Sequence, residues 1–357
     1  MTTVRSQAFD HGKSTEMLET DEPNLQVARF PKNATCAVTT SWDDNDDANM
    51  EILRILDSMG LKGTFYVDPG NPGARWAVGN GLTESQLRKL AKDNEVGSHT
   101  WSHRNLRQCD ANVLREELTR SKEYIQSITK CPVLGLAYPW GEHSLTVQRA
   151  VQECGYLFAR TVDEGSTTFP PLSPYVWGVS VQALARPRLL SRKAHIYVKN
   201  LASDWCKLAL KLFERARRTT GVWHLFGHAS EILRKPGLKD DLLQVFRYVA
   251  CREDVWYTTN GMLFLNEMVR RGVRISRSRH DGNLVFRVEA RFSPETLPYE
   301  IQVPLRLVVP ADWADGFNVE VTAAGSGRFA MGRAMGQTWI DLFGSGVKIE
   351  VVREQSV

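Results

Sequence analysis

From about residue 30 to about residue 272, short apolar runs rich in β-formers alternate with longer stretches of helical period. The runs predict strands at 36–42, 63–67, 95–98, 134–138, 157–162, 176–181, 222–226 and 255–259. Between them, apolar residues recur at three-to-four spacing over 47–59, 84–92, 110–128, 144–154, 200–218, 239–250 and 261–271, which predicts helices. Helix starts are marked by Thr83 ahead of Glu84 and Gln86, by Asp110, and by Ser144. Such alternation builds βα units around a parallel sheet or barrel. The link 163–175, with three prolines and two threonines, reads as a long loop on the active side. Near Gly272 the helical period stops. Strand-like alternation at 283–290, 299–309, 317–322 and 347–352, separated by Gly, Pro and Asp-Gly, predicts a small all-β domain of hairpins. The expected organisation is a tail at 1–29, an α/β barrel at 30–272 and an all-β accessory domain at 273–357.

Composition narrows the classes. The chain has 357 residues, enough for one barrel and a small second domain. Its net charge is +4, from 45 Lys and Arg against 41 Asp and Glu, and the basic residues are scattered. The densest groups, Arg215 to Arg218 and Arg270 to Arg279, read as solvated surface or linker, so no nucleic-acid partner is expected. The six cysteines show neither CxxC pairing nor regular spacing, as for ordinary thiols in a reducing compartment. Residues 1–31 are polar without an apolar core, and no run approaches the length of a membrane span. A cytoplasmic location is the expectation.

Chemistry gathers at strand ends. Asp43 and Asp44 close the first run, His99 and His103 follow the third, Pro139-Trp140-Gly141 follows the fourth, and His228 closes the run that begins at Val222. In β/α barrels the carboxyl ends of the strands carry the active site. One carboxylate and two imidazoles make a three-ligand set that leaves a coordination position open, with a second carboxylate left as a base. On extended backbone the adjacent aspartates diverge and can divide those jobs. Alone, the pair also fits an Asx turn or a helix N-cap, and Asp46 and Asp47 are assigned to that structural role. Four-residue spacing puts His99 and His103 on one helical face or in one turn. Histidine at the end of a strand suits a general acid, so His228 is a candidate, whereas His224 within the strand reads as hydrogen-bonded core. His11, His143, His195 and His280 lack such context and read as surface.

These residues together resemble the polysaccharide deacetylase family. Its Thr-Phe-Asp-Asp-Gly motif stands here as Ser41-Trp42-Asp43-Asp44-Asn45, and its His-Ser/Thr-x-x-His motif as His99-Thr100-Trp101-Ser102-His103. The Arg-x-Pro-aromatic-Gly motif reads Ala137-Tyr138-Pro139-Trp140-Gly141, without its arginine. Tyr175-Val176-Trp177-Gly178 matches a tryptophan-bearing segment less closely, and Val222 to His228 matches an apolar strand ending in histidine. The resemblance covers residues 30–272. It implies a distorted barrel that binds a divalent metal through Asp44, His99 and His103, zinc foremost, with cobalt or nickel in some members. The implied reaction is hydrolysis of an N-acetyl or O-acetyl group on a carbohydrate. Asp43 would take a proton from the attacking water, the metal would polarise the acetyl carbonyl, and His228 would protonate the leaving amine. A backbone N–H near Tyr138 to Trp140 would hold the oxyanion, and Tyr138, Pro139, Trp140 and Trp177 would meet the substrate.

The departures from the pattern raise specific questions. In the family the missing arginine orients the base, so Asp43 needs another holder. Arg160, in Phe158-Ala159-Arg160-Thr161 on the next strand, is the candidate, against a structural salt bridge as the alternative. Asn45 replaces a turn glycine but also tolerates left-handed backbone. Asp163 and Glu164 are read as loop-surface carboxylates, with substrate contact as the alternative; Trp223 and Trp256 are read as core. The expected partner is a carbohydrate or small amide. Other readings are a cyclic-imide or ureide amidohydrolase, an O-acetyl esterase, or a β-domain that binds carbohydrate or forms a homo-oligomer while the barrel contributes little catalysis.

Overall fold

A computed structural model describes residues 25–71, 80–183, 204–235, 237–280, 283–290, 303–309, 317–320, 328–334, 337–343 and 348–353. Its first strands and helices are β1 (Gln26–Val27), β2 (Cys36–Asp43), α1 (Asn49–Ser58), β3 (Gly63–Val67), α2 (Glu84–Asp93), β4 (Glu95–Ser98), α3 (Ala111–Thr129), β5 (Gly135–Ala137) and α4 (Leu145–Glu153). There follow β6 (Phe158–Arg160), β7 (Val181–Gln182), α5 (Asp204–Arg218), β8 (Val222–His228), α6 (Ala229–Arg234), α7 (Leu238–Val249), β9 (Val255–Tyr257) and α8 (Asn260–Gly272).

The barrel strands form one parallel sheet in the order β6-β5-β4-β3-β2-β8-β7, curled into a half-barrel with helices outside. All residues of β2 are buried, as expected for a parallel strand covered on both faces. It lies beside β8 on one side, and on the other beside β9 at its start and β3 at its end. The expected strand 176–181 is mostly irregular. Trp177 makes a single bridge to Arg160, and only Val181–Gln182 pairs with β8, so this segment spans the gap between the sheet's two edges.

The expected helix starts are capped as predicted. Thr83 and Gln86 form a reciprocal capping box, Asp110 accepts from Asn112 and Val113 N–H, and Ser144 accepts from Val147 N–H. Of the expected helix 200–218, residues 200–203 lie outside the described residues and α5 occupies the rest. The six-residue α6 was not anticipated; it is too short for helical period to show.

Helix α8 ends at Gly272 and β10 (Val273–His280) begins at once. It is followed by β11 (Asn283–Ala290), β12 (Pro304–Val309), β13 (Phe317–Glu320), β14 (Arg328–Ala334), β15 (Gln337–Phe343) and β16 (Lys348–Arg353). They form two four-stranded antiparallel sheets, β10-β11-β16-β13 and β1-β12-β15-β14. The end of the expected N-terminal tail is thus a strand: Gln26 and Val27 pair with Val308 and Leu307, while residues 1–24 lie outside the described residues. One buried cluster joins Tyr66, Ala137 and Phe158 of the sheet to Leu263, Phe264 and Leu265 of α8 and to Phe286, Leu305, Leu307 and Ile340 of the C-terminal strands. The carboxyl ends of the parallel strands stay open.

Candidate active site

At those open ends, strand register does much of the positioning. Asp43 is the register partner of His228 on β8 and of Tyr66 on β3, so an acidic and a basic side chain leave the sheet at one level. His99 follows β4 directly, its N–H donating to the Val67 carbonyl at 2.8 Å. Residues 99–103 run as a turn, not a helix. Positive φ angles at Asp44 (74°), Thr100 (68°), His103 (56°) and Trp140 (56°) concentrate uncommon backbone conformations around one cavity. Asn45, placed at the family's glycine position, is not left-handed; the preceding Asp44 is. The Asn45 side chain instead accepts the Leu82 N–H at 3.2 Å, and its own N–H donates to Asp68 at 2.8 Å.

Asp44 Oδ1 lies 3.8 Å from His99 Nε2 and 3.6 Å from His103 Nε2, and one ligand atom from each residue falls within 4.8 Å of the others. Two ligands of a tetrahedral zinc-type ion stand about 3.4 Å apart, so this spacing fits a divalent cation. His99 Nδ1 donates to the Ala137 carbonyl at 2.8 Å, which presents Nε2 to the site, the arrangement usual for a metal-ligating imidazole. Burial pushes His99 down to about 3, so the ring is neutral and able to ligate. Burial likewise raises Asp44, opposed by His228 and reinforced by Asp43.

Asp43 shares His99, whose Nε2 stands 3.7 Å from its Oδ2, but differs from Asp44 in its cationic partner. Nη2 of Arg160 donates to both its carboxylate oxygens, in a pair buried on both sides. Burial alone would raise the Asp43 pKa, but the Arg160 guanidinium, helped by His99 and His228, outweighs it and holds the carboxyl below its usual range. Arg160 lies against Phe226 at 4.2 Å and Tyr66 at 5.3 Å, and its Nη1 donates to the Thr161 carbonyl at 3.2 Å. Its register partner on β5 is Ala137, the position where the motif lacks its arginine.

The cavity has a volume of about 670 Å³ and is lined by Asp43, Asp44, His99, His103, Trp140 and His228, with Val162, Gln182, Phe226, Ser230, Glu231, Arg234 and Lys235. Trp140, 53% exposed, sets its ring edge-on to His103 at 4.5 Å. Three expected substrate contacts do not line it. Tyr138 is buried with its hydroxyl on the Tyr175 carbonyl, and Pro139 is buried beside it. Trp177 stacks on His224 at 4.4 Å within the core. Tyr138 N–H donates to the Arg160 carbonyl at 3.1 Å and proline has none, which narrows the expected oxyanion donor to Trp140 N–H. Asp163 is turned to Thr161, and neither it nor Glu164 lines the cavity. His224 is buried and shares a 2.8 Å hydrogen bond with Ser41, while Trp223 and Trp256 are core. His11 and His195 lie outside the described residues.

Two supports of the site carried no sequence signal. Glu117 on α3 accepts from Ser102 N–H at 2.8 Å and Ser102 Oγ at 2.5 Å, clamping the turn between the histidines. Glu231 Oε2 stands 3.8 Å from His228 Nδ1, and its other oxygen takes Lys235 Nζ at 2.6 Å.

Comparison with known proteins relates part of the chain to one family. Residues 32–159 match the polysaccharide deacetylase family model. The matched segment contains both aspartates, His99, His103 and Trp140, and ends one residue before Arg160. A chitin deacetylase from Pestalotiopsis sp is 33% identical over 89 residues, 25% of this chain and 28% of that protein. The chain spans less than a third of the length of the curated relatives it matches. A solved structure from Mycobacterium smegmatis, described as a polysaccharide deacetylase, superposes with a TM-score of 0.54 at 19% identity, covering 71% of this chain and 96% of that one. Puue allantoinase gives 0.52 at 14%, covering 72% and 97%. At these identities the two structures show the fold alone.

Proposed function

We propose that this chain hydrolyses an acetyl group, foremost an N-acetyl group, from an amino sugar or saccharide, using a divalent metal, foremost zinc. The observation that carries the proposal is the division of the two aspartates within one cavity: Asp44 stands between His99 and His103, while Asp43 is held by Arg160. Asp44, His99 and His103 would hold the metal, which supplies Lewis-acid polarisation of the acetyl carbonyl and the attacking water. Asp43, kept ionised by Arg160 at neutral pH, accepts the proton of that water. Trp140 N–H steadies the developing oxyanion, and its ring covers one wall of the cavity. His228, level with Asp43 and backed by Glu231, delivers a proton to the departing amine.

The family match supports acetyl removal over the amidohydrolase and esterase readings; the fold, shared with an allantoinase, is neutral between them. Acetate release from N-acetylated and O-acetylated sugars, alongside allantoin and other cyclic amides, tests the proposal on metal-loaded protein. Acetate from an N-acetyl sugar is the expected result. Turnover confined to a cyclic amide would replace it, and no turnover with metal bound would refute it.

A further inference from the structure

Most charged groups around the cavity have a close polar partner. Asp43 is paired with Arg160, Asp44 faces the two histidines, and Glu231 takes Lys235, the residue that follows α6. Arg234 differs. It lines the same cavity, is exposed, and has no ion pair or hydrogen bond among the described residues. Its placement follows from α6, which starts directly after His228. Residues 231 and 234 fall on one side of that helix at a spacing of three, and both line the cavity together with Lys235 just past the helix end.

An unpaired guanidinium beside a reaction site is a planar fork of donors that matches a carboxylate or phosphate and forms charge-assisted hydrogen bonds with it. Room is available, since about 670 Å³ far exceeds what an acetyl group fills and suits a whole substituted sugar. We propose that the substrate carries, away from its acetyl group, an anionic substituent, a carboxylate or a phosphate ester, which Arg234 binds. Lys235, already paired with Glu231, adds positive field but not the principal contact. This inference rests on the proposed acetyl hydrolysis for the orientation of the substrate, but the anion site can be measured as binding alone.

The test is calorimetric binding to zinc-loaded protein of N-acetylglucosamine, N-acetylglucosamine 1-phosphate and N-acetylmuramic acid, with acetate release measured on the same three sugars. At least one anionic sugar should bind about tenfold or more tightly than the neutral one, as expected for a hydrogen bond to a charged group. Which of the two gains identifies phosphate or carboxylate. Arg234→Gln should bring the ratio of anionic to neutral affinity close to one, and Arg234→Lys should restore part of it. Equal binding of all three sugars, or an anionic advantage that survives in Arg234→Gln and so comes from the metal alone, would overturn the inference. An advantage dependent on Arg234 without any acetate release would keep the anion site and overturn the hydrolytic reading. Acetate release without that advantage would do the reverse.

Discussion

Asp43 and Asp44 are neighbours in sequence with opposite environments, and that difference sets the residue-level tests. Asp44→Ala should lose bound metal and activity together. Asp43→Asn should keep the metal and lower turnover by about 10²–10⁴-fold, the range of general base catalysis. Metal analysis beside turnover checks both. The arginine gives a sharper prediction. With Arg160→Met, burial of Asp43 goes uncompensated, its pKa rises, and the acid limb of the kcat/KM profile should move to higher pH; an unmoved limb would remove Arg160 from the site. The same substitution should lower stability by about 3–5 kcal/mol, the usual result of removing one partner of a buried pair. The wild-type contribution is present above the unfolded carboxylate pKa and is lost as pH falls through the depressed folded value. Denaturation at several pH values checks that sign. At this scale the grouping was largely legible: motif and strand position point to Asp44, His99, His103, His228 and Arg160, and the structure brings the first four to one cavity with Arg160 on Asp43 behind it. Tyr138 and Trp177 were misplaced because an aromatic residue at a barrel mouth serves as core or as contact, and only burial separates the two.

Among the elements, β5 and β6 set register partners side by side beneath Asp43. Ala137 and Arg160 are register partners, so a guanidinium on either strand points from the same level of the sheet. Ala137→Arg combined with Arg160→Ala should therefore regain part of the activity lost in Arg160→Ala alone, as initial rates would show; no regain would mean that Arg160 acts only from β6. On α3, Glu117 clamps the 99–103 turn through Ser102. Glu117→Ala should weaken metal affinity by roughly 10–100-fold, as loss of a ligand-supporting group does elsewhere, and calorimetry would register it. The clamp was not visible in sequence, because Glu117 on its helix looks like any helical glutamate and the contact exists only across the βα interface. The short α6, which carries Glu231 and Arg234 to the cavity, escaped for a related reason: six residues are under two turns.

Over the whole molecule, the α/β class and a parallel sheet follow from the alternation of strand-like and helix-like runs, and the change near Gly272 from the loss of helical period. What period could not supply is closure. The sheet is a half-barrel whose gap is spanned by Trp177 and β7, and Tyr66, Ala137 and Phe158 of the sheet share a buried cluster with α8 and the C-terminal strands. The small strand β1 completes a C-terminal sheet from the other end of the chain, a pairing that a two-residue strand cannot announce. No described helix is long and apolar enough to cross a membrane. The central claim is that this fold brings Asp44, His99 and His103 together around one divalent ion while leaving Asp43 free for proton transfer. The most direct measurement is zinc titration by calorimetry of metal-stripped wild type, Asp44→Ala and Asp43→Asn. One zinc per chain in the wild type and in Asp43→Asn, with none in Asp44→Ala, is the predicted result; no binding to the wild type, or unchanged binding to Asp44→Ala, would contradict it.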